Sequence, residues 1–272
     1  SLFGQMIPAA KFPRIVSYLP MAHIAARAGD HYQAIYRIGQ IFPVPVLEDM
    51  RDALPTIKPS VFLAVPRVWE KFKAGLEARI EENPKKDLIA KAIQNGLEKV
   101  DYEQKGESVP FMVGLKDKIF AKLVFSKFKE GLGIVDTEYF VTAAAPMNKD
   151  VHRWFHAIGI DVTEIYGMTE DTGPATIGVP GNAVESFEKR LKVDSIKVPS
   201  VLNPIGKVGI PIPGTEVKVM EDGELCIKGN HVAQGYFKSE EQTKETFDAD
   251  GWLHTGDLAE IDDEGLSLIH IS

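Results

Sequence analysis

Two short runs rich in aromatic and β-branched residues, Tyr139-Phe140-Val141-Thr142 and Ile160-Asp161-Val162-Thr163, stand on either side of a helix-length stretch from Met147 to Ile158. A strand, a helix and a second strand in such close succession need a crossover connection, and crossovers join parallel strands. The segment therefore predicts an α/β fold built on a parallel sheet. The upstream sequence fits the same grammar. Val61-Phe62-Leu63-Ala64-Val65 has the length of a buried strand, and Pro66 sits where a helix can start, with apolar residues at helical spacing from Arg67 to Ile80. Phe12 to Pro20 reads as extended, and the proline-punctuated run Ile41 to Val46 reads as a short strand or loop. Residues 83–110 are rich in Lys and Glu and predict a surface helix and a loop.

After Pro204 the pattern changes. Val217-Lys218-Val219 and Leu225-Cys226-Ile227 alternate around Glu221-Asp222-Gly223, which is a hairpin signal. Residues 1–203 are thus read as the α/β part, and residues 204–265 as a β-rich subdomain. The last residues, from Leu266 to Ser272, resemble a translated adapter sequence and are set aside, although their alternation also permits a short terminal strand. The chain opens on Ser1 rather than Met, so both ends read as those of an internal fragment.

The net charge of -8 argues against nucleic acid as the main partner, because phosphate-backbone binding rests on clustered Lys and Arg. Cys226 is the only cysteine; it is read as a core residue, and no intrachain disulfide can form. No uncharged apolar run approaches the ~18 residues of a spanning helix. A cytoplasmic protein is expected. One segment qualifies this. Val113 to Gly131 reads as an amphipathic helix with Leu115, Ile119, Leu123 and Phe128 on its apolar row, and its five lysines outweigh Asp117 and Glu130. A basic helix of this kind is able to lie on an anionic membrane as a peripheral contact, although a solvated face is the plainer reading.

Four segments carry chemistry. Thr142-Ala143-Ala144-Ala145-Pro146 follows a predicted strand, and its small residues let a flat ligand approach the backbone. Tyr166-Gly167-Met168-Thr169-Glu170 follows the second strand; ligands of parallel sheets bind at such carboxyl ends, so both loops should face one crevice. Tyr166 offers an aromatic face, Gly167 offers close backbone approach, Thr169 a hydroxyl for a phosphate oxygen, and Glu170 a hard oxygen ligand suited to Mg²⁺. In Gly251-Trp252-Leu253-His254-Thr255-Gly256-Asp257-Leu258, the carboxylate of Asp257 is able to accept from vicinal ribose hydroxyls, or merely to cap its own turn. Leu19-Pro20-Met21-Ala22-His23 places one histidine among apolar residues, where a packed side chain is the commoner outcome.

Taken in order, these segments resemble the motifs of the AMP-forming acyl-CoA synthetases of the adenylate-forming superfamily. Tyr166 to Glu170 is similar to YGxTE, Gly251 to Leu258 to GWxxTGD, and Gly223-Glu224-Leu225 with Gly229 and Gly235-Tyr236 to the stretch between them. Val65 to Lys71 and Phe125-Ser126-Lys127 resemble the long-chain fatty acyl branch. Thr172-Gly173-Pro174 and Pro180-Gly181-Asn182 resemble its bubblegum-type members. The likeness runs collinearly over roughly residues 12–265.

The resemblance implies a partial adenylate-forming core, with the small C-terminal domain outside the chain. It implies ATP, Mg²⁺ and CoA, and ligation of a long-chain fatty acid to CoA through acyl-AMP. By position, Ala144, Ala145 and Pro146 would line the adenine and acyl pocket. Glu164, Ile165, Tyr166, Gly167 and Met168 would pass along the adenine, Thr169 would contact the α-phosphate, and Glu170 would hold Mg²⁺. Asp257 would bind the ribose, and His23 would lie near the substrate carboxylate and the reacting phosphorus. Ala143-Ala144-Ala145 departs from the glycines usual there. The phosphate loop with its Lys, the hinge and the catalytic Lys of the family fall outside the chain, so the fragment alone is expected to be inactive. The alternatives are another adenylating ligase (short-chain, aryl or amino-acid) or a nucleotide- or acyl-binding module without catalysis.

Overall fold

The computed structural model describes residues 12–179, 201, 203–263 and, for the backbone, 267–270. A large sheet runs in the order β2-β1-β3-β4-β5-β6-β7, formed by β1 (Arg14–Ser17), β2 (Gln40–Pro43), β3 (Val61–Ala64), β4 (Tyr139–Thr142), β5 (Val162–Met168), β6 (Gly173–Ile177) and β7 (Ile210–Pro211). The pairings from β2 through β5 are parallel, as the strand–helix–strand grammar requires. The sheet is nevertheless mixed. β5 and β6 are joined by a turn at residues 169–172 that is far too short for a crossover, so they pair antiparallel, and β7 follows suit.

Helices cover both faces. On one, Val16, Phe62, Ala64, Phe140 and Val162 pack with α3 (Met50–Ile57), α4 (Pro66–Glu81) and α8 (Lys149–Ala157) in one core. The centre of that core is Trp69. Its ring meets Phe62, Phe140 and Phe155 edge-on at 5.5, 6.2 and 5.0 Å, and its indole N–H donates to the Ala64 carbonyl. On the other face α1 (Ile24–Ala26) passes through a π-helical turn (Arg27–Tyr32) into α2 (Gln33–Arg37), close enough that a Cβ on Gly29 would touch Leu63. Coverage of both faces explains why β4 is buried along its whole length rather than alternating. Between α4 and the next long helix, α5 (Lys86–Gln104), lies a short Asn-Pro turn.

The basic segment differs from its sequence reading. It starts earlier, as α6 (Phe111–Phe120), continues through a π-helical turn (Ala121–Phe125), and ends in α7 (Ser126–Leu132), closed by Gly133 at φ 73°. A π turn inserts an extra residue and rotates the following face. Val113, Val124 and Phe125 are buried; of the expected apolar row, Phe128 packs against the core, whereas Leu115, Ile119 and Leu123 are exposed.

A second, antiparallel sheet has the order β11-β10-β9-β8. The anticipated hairpin forms from β8 (Thr215–Val219) and β9 (Glu224–Gly229), with Val219 opposite Leu225 and Gly223 at φ 90° in the turn. β10 (Leu253–Ile261) carries the Gly-Trp-to-Asp motif. Because β7 still belongs to the large sheet, the second sheet begins only at Thr215. The tail that was set aside pairs with β10 as β11 (Ser267–His270), the strand its alternation permits. Cys226 is a core residue of β9; burial, with Glu224 adding to it, pushes its thiol up to about 11, far from a reactive thiolate. Leu225, Ile227, Leu253 and Ala259 pack with Tyr166 and Ala175, so a second apolar cluster joins the two sheets at the end of β5. Pro180-Gly181-Asn182 lies outside the described residues.

Candidate active site

β4 runs into the loop at residues 143–146, and β5 into Tyr166, Gly167 and Met168. The two are tied from beneath by Glu164. This buried residue of β5 accepts a hydrogen bond from the Met147 N–H at 2.9 Å, and its second carboxylate oxygen lies 3.5 Å from His152 Nδ1. Two backbone features bring the loops close to any ligand. Ala144 is left-handed at φ 74°, a conformation that glycine adopts without cost and alanine does not. Gly167 is a requirement of another kind: a Cβ there would overlap the Gly173 carbonyl on β6.

Together these elements enclose a cavity of about 500 Å³. Its walls include Ala144, Ala145, Pro146, Glu164, Ile165, Tyr166, Gly167 and Asp257, eight of the residues singled out by sequence. They also include Thr142, the first residue of the same loop segment, and Met147, Lys149, Gly206 and Val208, which sequence reasoning did not assign to the site. Lys149 stands one residue after Asn148, whose side chain caps α8 by accepting from the N–H groups of Asp150 and Val151. That cap, readable in the sequence, was the available signal that Lys149 opens a helix at the crevice. Lys149 makes no ion pair among the described residues. Gly206, at φ 77°, passes against its side-chain methylenes.

Asp257 enters from the second sheet. Its carboxylate accepts a hydrogen bond from the Tyr166 hydroxyl at 2.7 Å. Burial and the adjoining Asp257 carboxylate both hold the Tyr166 hydroxyl protonated, with its pKa above the ordinary value. The turn that presents Asp257 is fixed on every side. Gly256, left-handed at φ 74°, donates to Glu224 at 2.9 Å, and Thr255 donates its hydroxyl to the Leu225 carbonyl at 2.7 Å. Glu224 holds His254 Nδ1 with its other oxygen, at 2.8 Å.

Met168, Thr169 and Glu170 do not line this cavity. They sit on the tight turn just beyond it, which is capped by Asp171 accepting from the N–H groups of Met168 and Gly173. Burial pushes the Asp171 carboxyl up to about 7, against the pull of those two donors. Thr169 is exposed, and the Glu170 carboxylate accepts from the Tyr236 hydroxyl at 2.7 Å. The Gly235-Tyr236 pair of the motif thereby finds a structural purpose: it locks the loop after β9 onto the β5–β6 turn.

His23 occupies a different, adjacent pocket. It caps α1, with Nδ1 accepting from Ala25 N–H at 3.1 Å, which leaves the proton on Nε2. The small cavity beside it, about 40 Å³, is walled by apolar and small residues including Ala28, Leu63 and Pro174. Ala144, Ile165 and Gly167 line both cavities, so the two spaces share a wall of backbone and small side chains.

The AMP-binding enzyme family matches residues 3–237 of the chain. Among curated proteins, fadD11 of Mycobacterium tuberculosis, assigned by name to the fatty-acid–CoA ligases, is 35% identical over 256 residues, covering 93% of this chain and 41% of its own length. Long-chain-fatty-acid–CoA ligase ACSBG2 of Xenopus laevis is 32% identical over 265 residues, covering 94% and 33%. The chain thus spans well under half the length of these relatives. Among solved structures, the N-terminal domain of FACL13 from Mycobacterium tuberculosis has a TM-score of 0.62 at 22% identity, covering 99% of this chain and 53% of its own. Apo MatB from Rhodopseudomonas palustris has 0.57 at 21%, covering 96% and 40%. At that identity the structural likeness speaks for the fold, and the sequence match carries the assignment: the chain belongs to the AMP-binding enzymes.

Proposed function

We propose that this chain is the nucleotide- and acyl-binding centre of an ATP-dependent ligase that joins a long-chain fatty acid to CoA through an acyl adenylate. The observation that carries this reading is the shared wall. A polar-edged cavity of nucleotide size, about 500 Å³, and an apolar pocket holding His23 are separated only by Ala144, Ile165 and Gly167. An acid in the second pocket would present its carboxylate at the edge of the first.

In this reading the adenine lies between the loop of Ala144, Ala145 and Pro146 and the segment from Glu164 to Met168, against the ring of Tyr166. Asp257 accepts from the ribose hydroxyls, Thr169 donates to the α-phosphate, and Lys149 adds positive charge at the cavity. A carboxylate oxygen of the acid attacks the α-phosphorus of ATP, forming the acyl–phosphate bond as pyrophosphate leaves. The CoA thiolate then attacks the acyl carbon, and AMP leaves. His23, with its proton on Nε2, faces the carboxylate as a hydrogen-bond donor. Glu170 suits Mg²⁺: one carboxylate oxygen is held by Tyr236, and the other, a hard donor, has no partner among the described residues. When bound, the ion supplies charge neutralisation of the phosphates. The length of the acyl chain is taken from the named relatives, since the apolar pocket as it stands is small.

The test is acid-dependent exchange of pyrophosphate into ATP by the full-length protein, across fatty acids of increasing length, an aryl acid and an amino acid. Exchange driven by long-chain acids supports the proposal. Exchange driven only by an aryl or amino acid would replace the substrate class. ATP binding with no exchange for any acid would leave a binding module in place of an enzyme.

A further inference from the structure

We propose that the outer face of α6 and the π turn after it is a docking surface for an anionic lipid bilayer. This surface lies on the helical layer opposite α1 and His23, and the proposal does not depend on the ligase reading. Five large apolar side chains in one stretch are exposed: Phe111 at 80%, Met112 at 56%, Leu115 at 41%, Ile119 at 47% and Leu123 at 62%. At about 100° per residue the first four fall within an arc of roughly 100°, with Lys116 just past one edge and Lys118 just past the other. Leu123 extends the stripe through the π turn and, with Leu88, opens into a cleft of about 400 Å³ rimmed by Lys85 and Lys127.

The charge on this face has one sign. Lys116, Lys118, Lys122 and Lys127 make no ion pair among the described residues. Asp117, the acid of α6, is turned inward and bonds Lys99 at 3.1 Å. The orientation is fixed from the buried side, where Val113 packs inward and Asn95 donates to its carbonyl at 3.2 Å. A stripe edged by unpaired lysines fits the acyl boundary and the phosphate layer of an anionic bilayer together.

The experiment is co-sedimentation of the full-length protein with phosphatidylcholine vesicles, with and without about 30% phosphatidylserine, at low and high salt. Two variants accompany it, Phe111→Ser/Ile119→Ser and Lys118→Glu/Lys122→Glu. The parent protein should bind the anionic vesicles and lose binding in salt. The lysine variant should weaken binding at least 25-fold, at about fivefold per removed lysine, and the apolar variant at least tenfold. Because both lysines lie at the surface, the lysine variant decides the matter if the apolar one fails to fold. Equal binding to neutral and anionic vesicles, or vesicle binding unchanged in the lysine variant, would overturn the proposal. So would a change of oligomeric state in the apolar variant without any change in vesicle binding, which would make the stripe a protein contact.

Discussion

The hydroxyl of Tyr166 donates to the carboxylate of Asp257 at 2.7 Å, and that contact joins the end of β5 in the large sheet to the β10 turn in the small one. The Asp257 turn is held within its own sheet by Glu224 and Leu225, and this bond adds the link that aims its carboxylate across to Tyr166. Tyr166→Phe should keep the aromatic face but release Asp257. A hydrogen bond to a charged group contributes about 1.5–3 kcal/mol, so nucleotide affinity should fall by roughly 10–150-fold, read by calorimetry or by KM for ATP. An unchanged affinity would show that Asp257 is positioned by its own turn alone.

Glu224 holds that turn from below, accepting from Gly256 N–H and His254. Glu224→Ala should therefore raise KM for ATP about tenfold while leaving the melting temperature within a few degrees. Glu224→Gln keeps an acceptor for Gly256 and should recover most of the loss. If Gln behaves like Ala, the charge matters and the geometric argument fails.

Ala144 holds a left-handed conformation that costs a side chain about 1–2 kcal/mol. Ala144→Gly removes that strain, partly offset by the greater freedom of the unfolded chain. The midpoint of denaturant unfolding should rise by the equivalent of about 0.5–1 kcal/mol. A fall would mean that the methyl group contributes packing between the two cavities that outweighs the strain.

Asp171, buried under the β5–β6 turn, has its carboxyl raised to about 7 from an ordinary value near 4, and Asp30, buried in the π turn after α1, to about 6. Both bind protons more tightly folded than unfolded. Their contribution to stability is complete below about pH 4 and is lost as the pH rises through about 6 for Asp30 and 7 for Asp171. Asp171→Asn preserves an acceptor for the N–H groups of Met168 and Gly173, and should flatten the upper part of that decline. Unfolding free energies measured from pH 4 to 8 in the two proteins check this. Parallel curves would refute it.

Much of this was legible in the sequence, for stated physical reasons. Strand β4, the α8 crossover and the β8–β9 hairpin are signalled by local periodicity and turn chemistry, and they appear within a few residues of expectation. Seven of the eight assigned residues at the cavity meet because two adjacent parallel strands end at the same edge, and Asp257 joins them from the second sheet. What escaped is what depends on distant parts of the chain. The antiparallel return of β6 follows from a four-residue turn too compact to read. Lys149 and Gly206 come together across 57 positions of sequence. The packing of α6 on α5 through Val113 leaves Leu115 and Ile119 outside, and the extra residue of the π turn shifts the face again to bury Val124 and Phe125; neither leaves a mark in an apolar pattern of period near four. The separation of His23 from the main cavity likewise needed the fold.

The partition formed by Ala144, Ile165 and Gly167 is only one backbone thick, and Gly167 is pressed against Gly173 so that it admits no side chain. A change in any of these three positions is felt on both sides at once. On the proposed reading, altered substrate preference has to be sought in the remote walls of the apolar pocket, at Ala28 or Leu63, since Pro174 pairs directly with Gly167.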